Sequence, residues 1–455
     1  MSALTDRLRG SSLSARALRS VLLTVGGFGF AQVIRLASNL VLTRLLFPEA
    51  FGLMALVMVF LVGLGQFSDV GVTPAILQSR RGDDPAFLNT AWTIQVMRGF
   101  GLWLVACGVA WPLAWFYDEP QLAQILPVAA LTLLIAGFKP TRMDTANRHL
   151  LLGRVTVIDM AVQIVGVIAA IGLAWATGSV WALVISGIVG GIAEVAVNWR
   201  FLPGEANRLR WERAAARELM HFGKWVFLAT IAGFFYSQAD KIVLGKWLPL
   251  DVFGIYNIGF FLASFPLLLG SMVTRKILIP IYRETPPAAS ASSFAALRRM
   301  RFAVTAGLMA LVTLFGCLGV WLVDLMYDPR YALAGGVVTV LACAQMPALI
   351  VLTYDPSALA AGESRRYFFL IAARAGLMIV CLVAGLHTAG LLGALIGQGM
   401  AFLLAYPLAV RLARRMGAWD PLHDALFAGL AGLAVALALS LNWPSVAALA
   451  MGNGF

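Results

Sequence analysis

The stretch that decides the fold is present twice: SNLVLTRLLFPEAFGLMAL at residues 38–56 and DKIVLGKWLPLDVFGIYNI at residues 240–258. At an offset of 202 residues, Arg44 aligns with Lys246, Glu49 aligns with an aspartate, and each copy then continues with Phe-Gly. A duplicated half determines the architecture of a chain, so the remaining features are interpreted from this repeat.

The composition is that of an integral membrane protein. Of 455 residues, 60% are hydrophobic and only 12% are charged, with a mean hydropathy of +0.85, whereas soluble domains carry about 25% charged residues. A bilayer core of about 30 Å needs about 20 apolar residues per helix, and we predict an all-α fold with 12 to 14 transmembrane helices. The predicted spans are 20–42, 51–78, 90–116, 122–138, 154–177, 179–200, 222–246, 252–281, 301–326, 331–355, 367–387, 390–410 and 423–441.

The basic residues indicate the orientation of the chain. Alternate connections between the predicted spans hold 27 of the 34 lysines and arginines, and such connections face the cytoplasm in membrane proteins. We therefore predict a multi-pass protein with a cytoplasmic N-terminus. The net charge of +12 then follows from topology, and nucleic acid is excluded as an expected partner.

The repeat can now be interpreted as an architecture. Six predicted spans separate the two copies, and this even number gives both copies the same orientation. Two six-helix bundles related by an axis along the membrane normal, with a site between them, form the architecture of several secondary transporters. We predict a basic N-terminal segment (1–19), a first bundle (20–200), a cytoplasmic linker (201–221), a second bundle (222–415) and an additional C-terminal transmembrane segment (416–455), with a central cavity between the bundles.

Three runs carry a resemblance to a known family: LTRLLFPEAFGLMAL (42–56), FSDVGVTPAILQ (67–78) and SQADKIVLGKWLPLDVFGIYNIGFFLASFP (237–266). They resemble the polysaccharide transporter family, the Wzx-type oligosaccharide and O-antigen flippases of the multidrug/oligosaccharidyl-lipid/polysaccharide exporter (MOP) superfamily. The resemblance implies that an undecaprenyl-diphosphate-linked oligosaccharide moves from the inner to the outer leaflet of a bacterial inner membrane. It also implies a place in lipopolysaccharide or exopolysaccharide biosynthesis, with membrane lipid, a polymerase and other assembly proteins as partners.

Polar residues inside the first span point to a cavity. A charge at mid-bilayer costs about 2.5 to 3.5 kcal/mol on insertion scales, so it normally faces a cavity or a partner. Gln32, Arg35 and Asn39 recur at helical spacing on one face. The repeat offset maps Arg35 onto Ser237 and Asn39 onto Lys241, and these four are cavity candidates. For Lys241 the alternative is a side chain that extends to the membrane interface.

Two further arginines lie in the inner halves of their spans, Arg98 in the third and Arg374 in the eleventh. The planar fork of arginine binds diphosphate oxygens in pairs, so both are candidates for capture of a lipid diphosphate. The alternative is that they form buried ion pairs with Asp69, Asp159 or Glu194, which are predicted at comparable depth.

Asp240 precedes Lys241 in the sequence. Neighbouring helical residues point about 100° apart, so we expect the two not to pair with each other. Asp240 then has either a structural role, beside an arginine of another helix, or a role in proton coupling. No cofactor is expected, and coupling to H⁺ or Na⁺ is left open.

Other functions fit the sequence less well. A multidrug cation antiporter of the same superfamily would favour acids in its cavity, whereas arginine is at least as frequent here. A membrane-embedded polymerase or ligase would need a sizeable outer loop, and no outer connection exceeds roughly ten residues. The pattern therefore favours a transporter over an enzyme, working by alternating access with FPEAFG and PLDVFG as outer gates.

Overall fold

The computed structural model describes residues 13–68, 71–149, 152–220 and 224–451, and every regular element among them is a helix. In the first half the helices are α1 Leu13–Leu45, α2 Pro48–Phe67, α3 Val72–Gln78, α4 Pro85–Tyr117, α5 Gln121–Ala129, α6 Leu131–Gly137, α7 Arg142–Arg148, α8 Leu152–Thr177, α9 Trp181–Phe201 and α10 Arg213–Met220. In the second half they are α11 Lys224–Trp247, α12 Leu250–Ala263, α13 Phe265–Val273, α14 Ile279–Glu284, α15 Ala291–Met326, α16 Leu333–Leu352, α17 Asp355–Ala360, α18 Ser364–Arg415 and α19 Pro421–Met451.

Within this described part, nine helices are long and apolar enough to cross a membrane, or ten if one bent pair counts as a span. The backbone of α18 leaves the helical conformation at Ala389 and Gly390, where the sequence places the boundary between its eleventh and twelfth spans. The prediction of an all-α, multi-pass membrane protein is confirmed. The arrangement as two six-helix repeats stays a prediction.

The two longest predicted spans are wrong as continuous helices, and a third, 122–138, is divided at Ala130 between α5 and α6. The span predicted at 51–78 is interrupted after α2, because Gly71 adopts a left-handed conformation with φ of 73° before α3 begins, a conformation that glycine tolerates best. The span predicted at 252–281 is divided into α12, α13 and a π-helical turn at Thr274–Leu278. Apolar composition alone does not reveal either interruption.

The described residues form two compact units. Unit 1 lies within Met1–Phe47 and Phe60–Gly223, and unit 2 lies within Pro48–Val59 and Lys224–Phe455. The first turns of α2 therefore group with the second half of the chain, which the predicted bundle bounds did not anticipate. In unit 2 the central helix is α16, since most of its residues are buried.

The two copies of the repeat pack against each other inside unit 2. A Cβ atom added to Gly52 would clash with the backbone carbonyl of Leu250, and one added to Gly254 would clash with that of Pro48. Each glycine thus packs against the first turn of the helix that contains the other glycine. We call this reciprocal contact the glycine seam, and only residues without a side chain allow backbones to approach this closely.

The predicted linker at 201–221 is partly ordered on unit 1. Its backbone amides at alternate positions donate to side chains in the first turns of α4, over 2.8 to 3.1 Å: Arg208 to Asn89, Arg210 to Thr93 and Glu212 to Thr90. The helix α10 follows, and its Ala215 and Leu219 are buried in a cluster with residues of α3 and α4. The linker is therefore held to unit 1 along much of its length.

Arg81 fastens the linker to the loop before α4. Its guanidinium donates to Glu212 over 2.9 Å and to Asp84 over 2.5 Å. These hydrogen bonds from Arg81 hold the pKa of both carboxyl groups below their ordinary values. Because folding depresses both pKa values, this contribution to stability is present at neutral pH and is lost as the pH falls through them.

Candidate functional site

Arg35 lies on α1, and its side chain is exposed on the surface of the protein. No hydrogen bond or ion pair joins Arg35 to another residue of the described ranges. Gln32 and Asn39, on the same helical stripe, are half-buried. The amide of Gln163 on α8 donates to the carbonyl of Ala31 over 2.8 Å and fixes this part of α1 within unit 1. The guanidinium of Arg35 is thus available to an anion.

Arg98, on α4, binds the end of α2. Its guanidinium donates to the carbonyl of Gly65 over 2.5 Å and to the hydroxyl of Ser68 over 2.8 Å. Carbonyl groups at a helix C-terminus lack intrahelical partners and carry partial negative charge, so Arg98 satisfies and stabilises this end. The predicted candidate Asp69 lies outside the described residues.

Asp159 and Glu194 are brought near each other around a lysine that the sequence analysis did not single out. The ammonium of Lys139, between α6 and α7, lies 2.6 Å from the carboxylate of Glu194 on α9. Asp159, on α8, is exposed and lies within electrostatic range of both groups. The alternative in which Glu194 pairs with Arg98 or Arg374 is therefore not the arrangement found, because Glu194 pairs with Lys139.

Arg374, on α18, is buried in an ion pair. Its guanidinium binds Asp355 through two hydrogen bonds of 2.7 and 3.1 Å, and the side chains are only 5% and 15% exposed. The alternative that Arg374 forms a buried ion pair agrees with the structure, but its partner is Asp355. The acids predicted for that role were Asp69, Asp159 and Glu194. Asp355 was not predicted as a partner because it is the last residue of the predicted span 331–355. The proline that follows it, typical of a helix start, was the available signal.

Asp240 and Lys241 do pair, which corrects the expectation drawn from helix geometry. The Lys241 ammonium lies 3.5 Å from the Asp240 carboxylate and 3.8 Å from the ring centroid of Phe260. Asp240 is buried and also accepts a hydrogen bond from the Tyr256 hydroxyl. The directions of the two Cβ atoms differ, but the long lysine side chain curves back, because a buried carboxylate and an aromatic face favour its charge there.

The repeat-related positions have matching exposure. Arg35 and Ser237 are both exposed, and Asn39 and Lys241 are both half-buried. Among the residues that the structure describes, the Ser237 hydroxyl donates to one group, the carbonyl of Phe234 on its own helix, over 3.2 Å. Among the predicted binding residues, Arg35 and Ser237 are thus accessible, whereas the guanidinium groups of Arg98 and Arg374 are already bound.

Two cations outside the predicted set lie on the π-helical turn of unit 2. Arg275 and Lys276 are exposed there, and such turns frequently occur at functional sites. The predicted span 252–281 contains both residues, and its apolar composition does not reveal the π-helical turn. Pro280, in the first turn of α14, is a local sign of irregular backbone in the sequence.

Comparisons with known proteins agree with this picture. A family model described as polysaccharide biosynthesis protein matches residues 41–332. The lipopolysaccharide biosynthesis protein WzxC of Escherichia coli (strain K12) is 21% identical over 268 residues, which cover 57% of this chain and 51% of WzxC. The succinoglycan biosynthesis transport protein ExoT of Rhizobium meliloti (strain 1021) is 23% identical over 271 residues, covering 58% and 52%. The chain therefore matches about half the length of these curated relatives.

Solved structures show the same fold. The lipid II flippase MurJ in an inward closed conformation superposes with a TM-score of 0.66 at 11% identity, covering 94% of this chain and 99% of MurJ. An inward-facing multidrug resistance MATE transporter of the MOP superfamily gives 0.60 at 13% identity, covering 85% and 95%. The family match spans more than half of the 455 residues and confirms the resemblance drawn from the sequence. The chain belongs to the polysaccharide biosynthesis protein family and has the helical fold of MOP superfamily transporters.

Proposed function

We propose that this protein is a flippase, not an enzyme, and that it moves an undecaprenyl-diphosphate-linked oligosaccharide from the inner to the outer leaflet of a bacterial inner membrane. The names of its relatives support this, since WzxC, ExoT and the amylovoran biosynthesis protein AmsL of Erwinia amylovora all serve polysaccharide biosynthesis. The product would enter surface polysaccharide or exopolysaccharide assembly, with a polymerase and other assembly proteins downstream.

The observation that carries the proposal is the exposed guanidinium of Arg35. An arginine within an apolar helix is costly unless it serves a cavity or a partner, and no described residue pairs with Arg35. A diphosphate supplies the concentrated negative charge that a guanidinium binds through paired hydrogen bonds. Arg374 has its charge compensated by Asp355, so it is less suited to hold a second anion.

The remaining parts of the proposal follow from the repeat. Transport would proceed by alternating access, with two bundles moving about a central cavity, and the polyprenyl tail would stay in lipid. Coupling to H⁺ or Na⁺ stays a prediction, and buried Asp240 beside Lys241 is its candidate carboxylate. A cytoplasmic N-terminus requires that a reporter fused after Gly204 reads cytoplasmic and one fused after Asp118 reads periplasmic.

The proposal is tested with purified protein in lipid vesicles. A fluorescent undecaprenyl-diphosphate oligosaccharide is placed in the inner leaflet, and a membrane-impermeant quencher reports its arrival in the outer leaflet. We expect protein-dependent flipping well above that of empty vesicles. If flipping is absent while the same protein drives a cationic dye against an ion gradient, the multidrug antiporter is the correct function.

A further inference from the structure

A basic pocket of about 580 Å³ lies at the C-terminal end of α18 in unit 2. Three arginines line it, Arg411, Arg414 and Arg415, and all three side chains are exposed. The Arg414 guanidinium stacks on the Trp419 ring at 3.8 Å from the centroid. Tryptophan beside arginine is typical of the level of lipid headgroups. We call this cavity the arginine pocket.

An apolar groove of about 870 Å³ adjoins the arginine pocket. It runs between α16, the second part of α18, and α19, and it shares Tyr406 and Trp419 with the arginine pocket. Along α19 its lining extends from Pro421 to Val446, about 37 Å at 1.5 Å per residue. The groove is therefore long enough to cross the hydrocarbon core of a bilayer, which is about 30 Å thick.

Asp424 holds the two side chains at the boundary between pocket and groove. Its carboxylate accepts hydrogen bonds from Tyr406 over 2.7 Å and from Trp419 over 3.1 Å, and a third from Tyr354 over 2.5 Å. The buried imidazole of His423 contacts the same carboxylate at 2.9 Å. Asp424 thereby fixes Tyr406 and Trp419 in place, and it lines the groove and not the arginine pocket.

We propose that the arginine pocket and the groove together bind one anionic glycerophospholipid. The phosphate would lie among Arg411, Arg414 and Arg415, and an acyl chain would lie in the half of the groove that begins at Tyr406 and Trp419. Guanidinium groups suit phosphate oxygens, and basic pockets between transmembrane helices bind anionic headgroups. The site is distinct from Arg35 and does not depend on the proposed flippase function.

The number of arginines in the pocket sets the expected preference for an anionic lipid. Each basic group near a membrane surface contributes about fivefold to the binding of an anionic lipid, so three give a preference over neutral lipid of about a hundredfold, or about 3 kcal/mol. Such a preference fills the site when the ligand is a bulk lipid of the same leaflet.

The test is lipid binding to the purified full-length protein, measured by native mass spectrometry. Phosphatidylglycerol and phosphatidylcholine are the probes, each titrated into detergent-solubilised protein. We expect an approximately hundredfold preference for phosphatidylglycerol in the unaltered protein. The triple variant Arg411→Gln, Arg414→Gln, Arg415→Gln should bind both lipids equally. The double variant Arg365→Gln, Arg366→Gln removes charge at the other end of α18, outside the arginine pocket, and should retain the preference.

The groove is tested by matched glycine substitutions on α19. Gly432 lines the groove and Gly429 does not, and at both positions a Cβ atom would meet open space. Gly432→Leu should weaken phosphatidylglycerol binding severalfold, while Gly429→Leu should leave it unchanged.

Three results would overturn the lipid site. One is an unchanged preference in the triple arginine variant. Another is equal binding by the two glycine variants together with full displacement of phosphatidylglycerol by inorganic phosphate, which would make the arginine pocket a simple anion site. The third is selective binding of an undecaprenyl phosphate with no preference for phosphatidylglycerol, which would assign the groove to the transported lipid.

Discussion

The ion pair of Arg374 and Asp355 gives the sharpest prediction about stability. Both side chains are largely removed from solvent and share two hydrogen bonds of 2.7 and 3.1 Å. Removing one partner of a buried pair leaves an uncompensated charge and costs about 3 to 5 kcal/mol. Asp355 keeps 15% exposure, so Arg374→Met should fall at the lower end, about 3 kcal/mol. Asp355→Leu should cost at least as much, because it leaves the more deeply buried arginine.

The double variant Arg374→Met, Asp355→Leu distinguishes the roles of this pair. Replacing both charges with apolar residues is often neutral or stabilising, so the double variant should lose less than about 1 kcal/mol, far from the sum of the single losses. Unfolding in mixed micelles, followed by circular dichroism, measures the cycle. Strictly additive losses would refute the ion pair. A stable double variant that flips normally would make Arg374 structural, whereas one that is stable but inactive would return it to the binding site.

Two further predictions concern packing and the linker. Gly52→Ala and Gly254→Ala should each destabilise the protein by about 1 to 3 kcal/mol, because the added methyl group overpacks the glycine seam. The control Gly65→Ala lies on the same helix as Gly52, but its methyl group would meet open space, so it should not destabilise the protein. Equal melting temperatures for all three variants would contradict the glycine seam. Arg81→Ala should speed tryptic cleavage within 203–212 at neutral pH, because the linker loses its ion pair with Glu212. In the unaltered protein, cleavage of residues 203–212 should accelerate only as the pH falls through the depressed pKa values of the two carboxyl groups that Arg81 binds. An acid-active protease measures this cleavage. Protection of the linker that does not change with pH would contradict the prediction.

Much of the fold follows from the sequence because the apolar runs and the repeat are visible without knowledge of tertiary contacts. The boundary between the two parts of α18 was predicted at the residues where the backbone breaks. The interruption at Gly71 was missed, since a single glycine hardly changes the mean hydropathy of a window. The grouping of Pro48–Val59 with unit 2 was also missed, because its contacts, among them the glycine seam, join residues about 200 positions apart.

The sequence predicted which intramembrane residues need a partner more successfully than it predicted which residue that partner is. An intramembrane arginine requires an anion or a partner, and that requirement is visible in sequence. Which acid satisfies it depends on tertiary packing: Arg374 binds Asp355 from the preceding short helix, and Glu194 binds Lys139 from a bend. The Asp240 and Lys241 pair shows in addition that a rule about Cβ directions does not constrain a side chain with four rotatable bonds.

The account is tested most directly by the flipping rate of Arg35 variants in one vesicle preparation. Loss of hydrogen bonds between charged groups costs about 1.5 to 3 kcal/mol, so Arg35→Ala should slow flipping of the lipid-linked oligosaccharide by about 10- to 150-fold without changing the melting temperature. Arg35→Lys should restore part of the rate, because it keeps the charge and loses the fork. The control Arg154→Ala, which removes an exposed arginine of the same unit, should flip normally. Full flipping by a correctly folded Arg35→Ala variant would contradict the claim that this guanidinium holds the diphosphate.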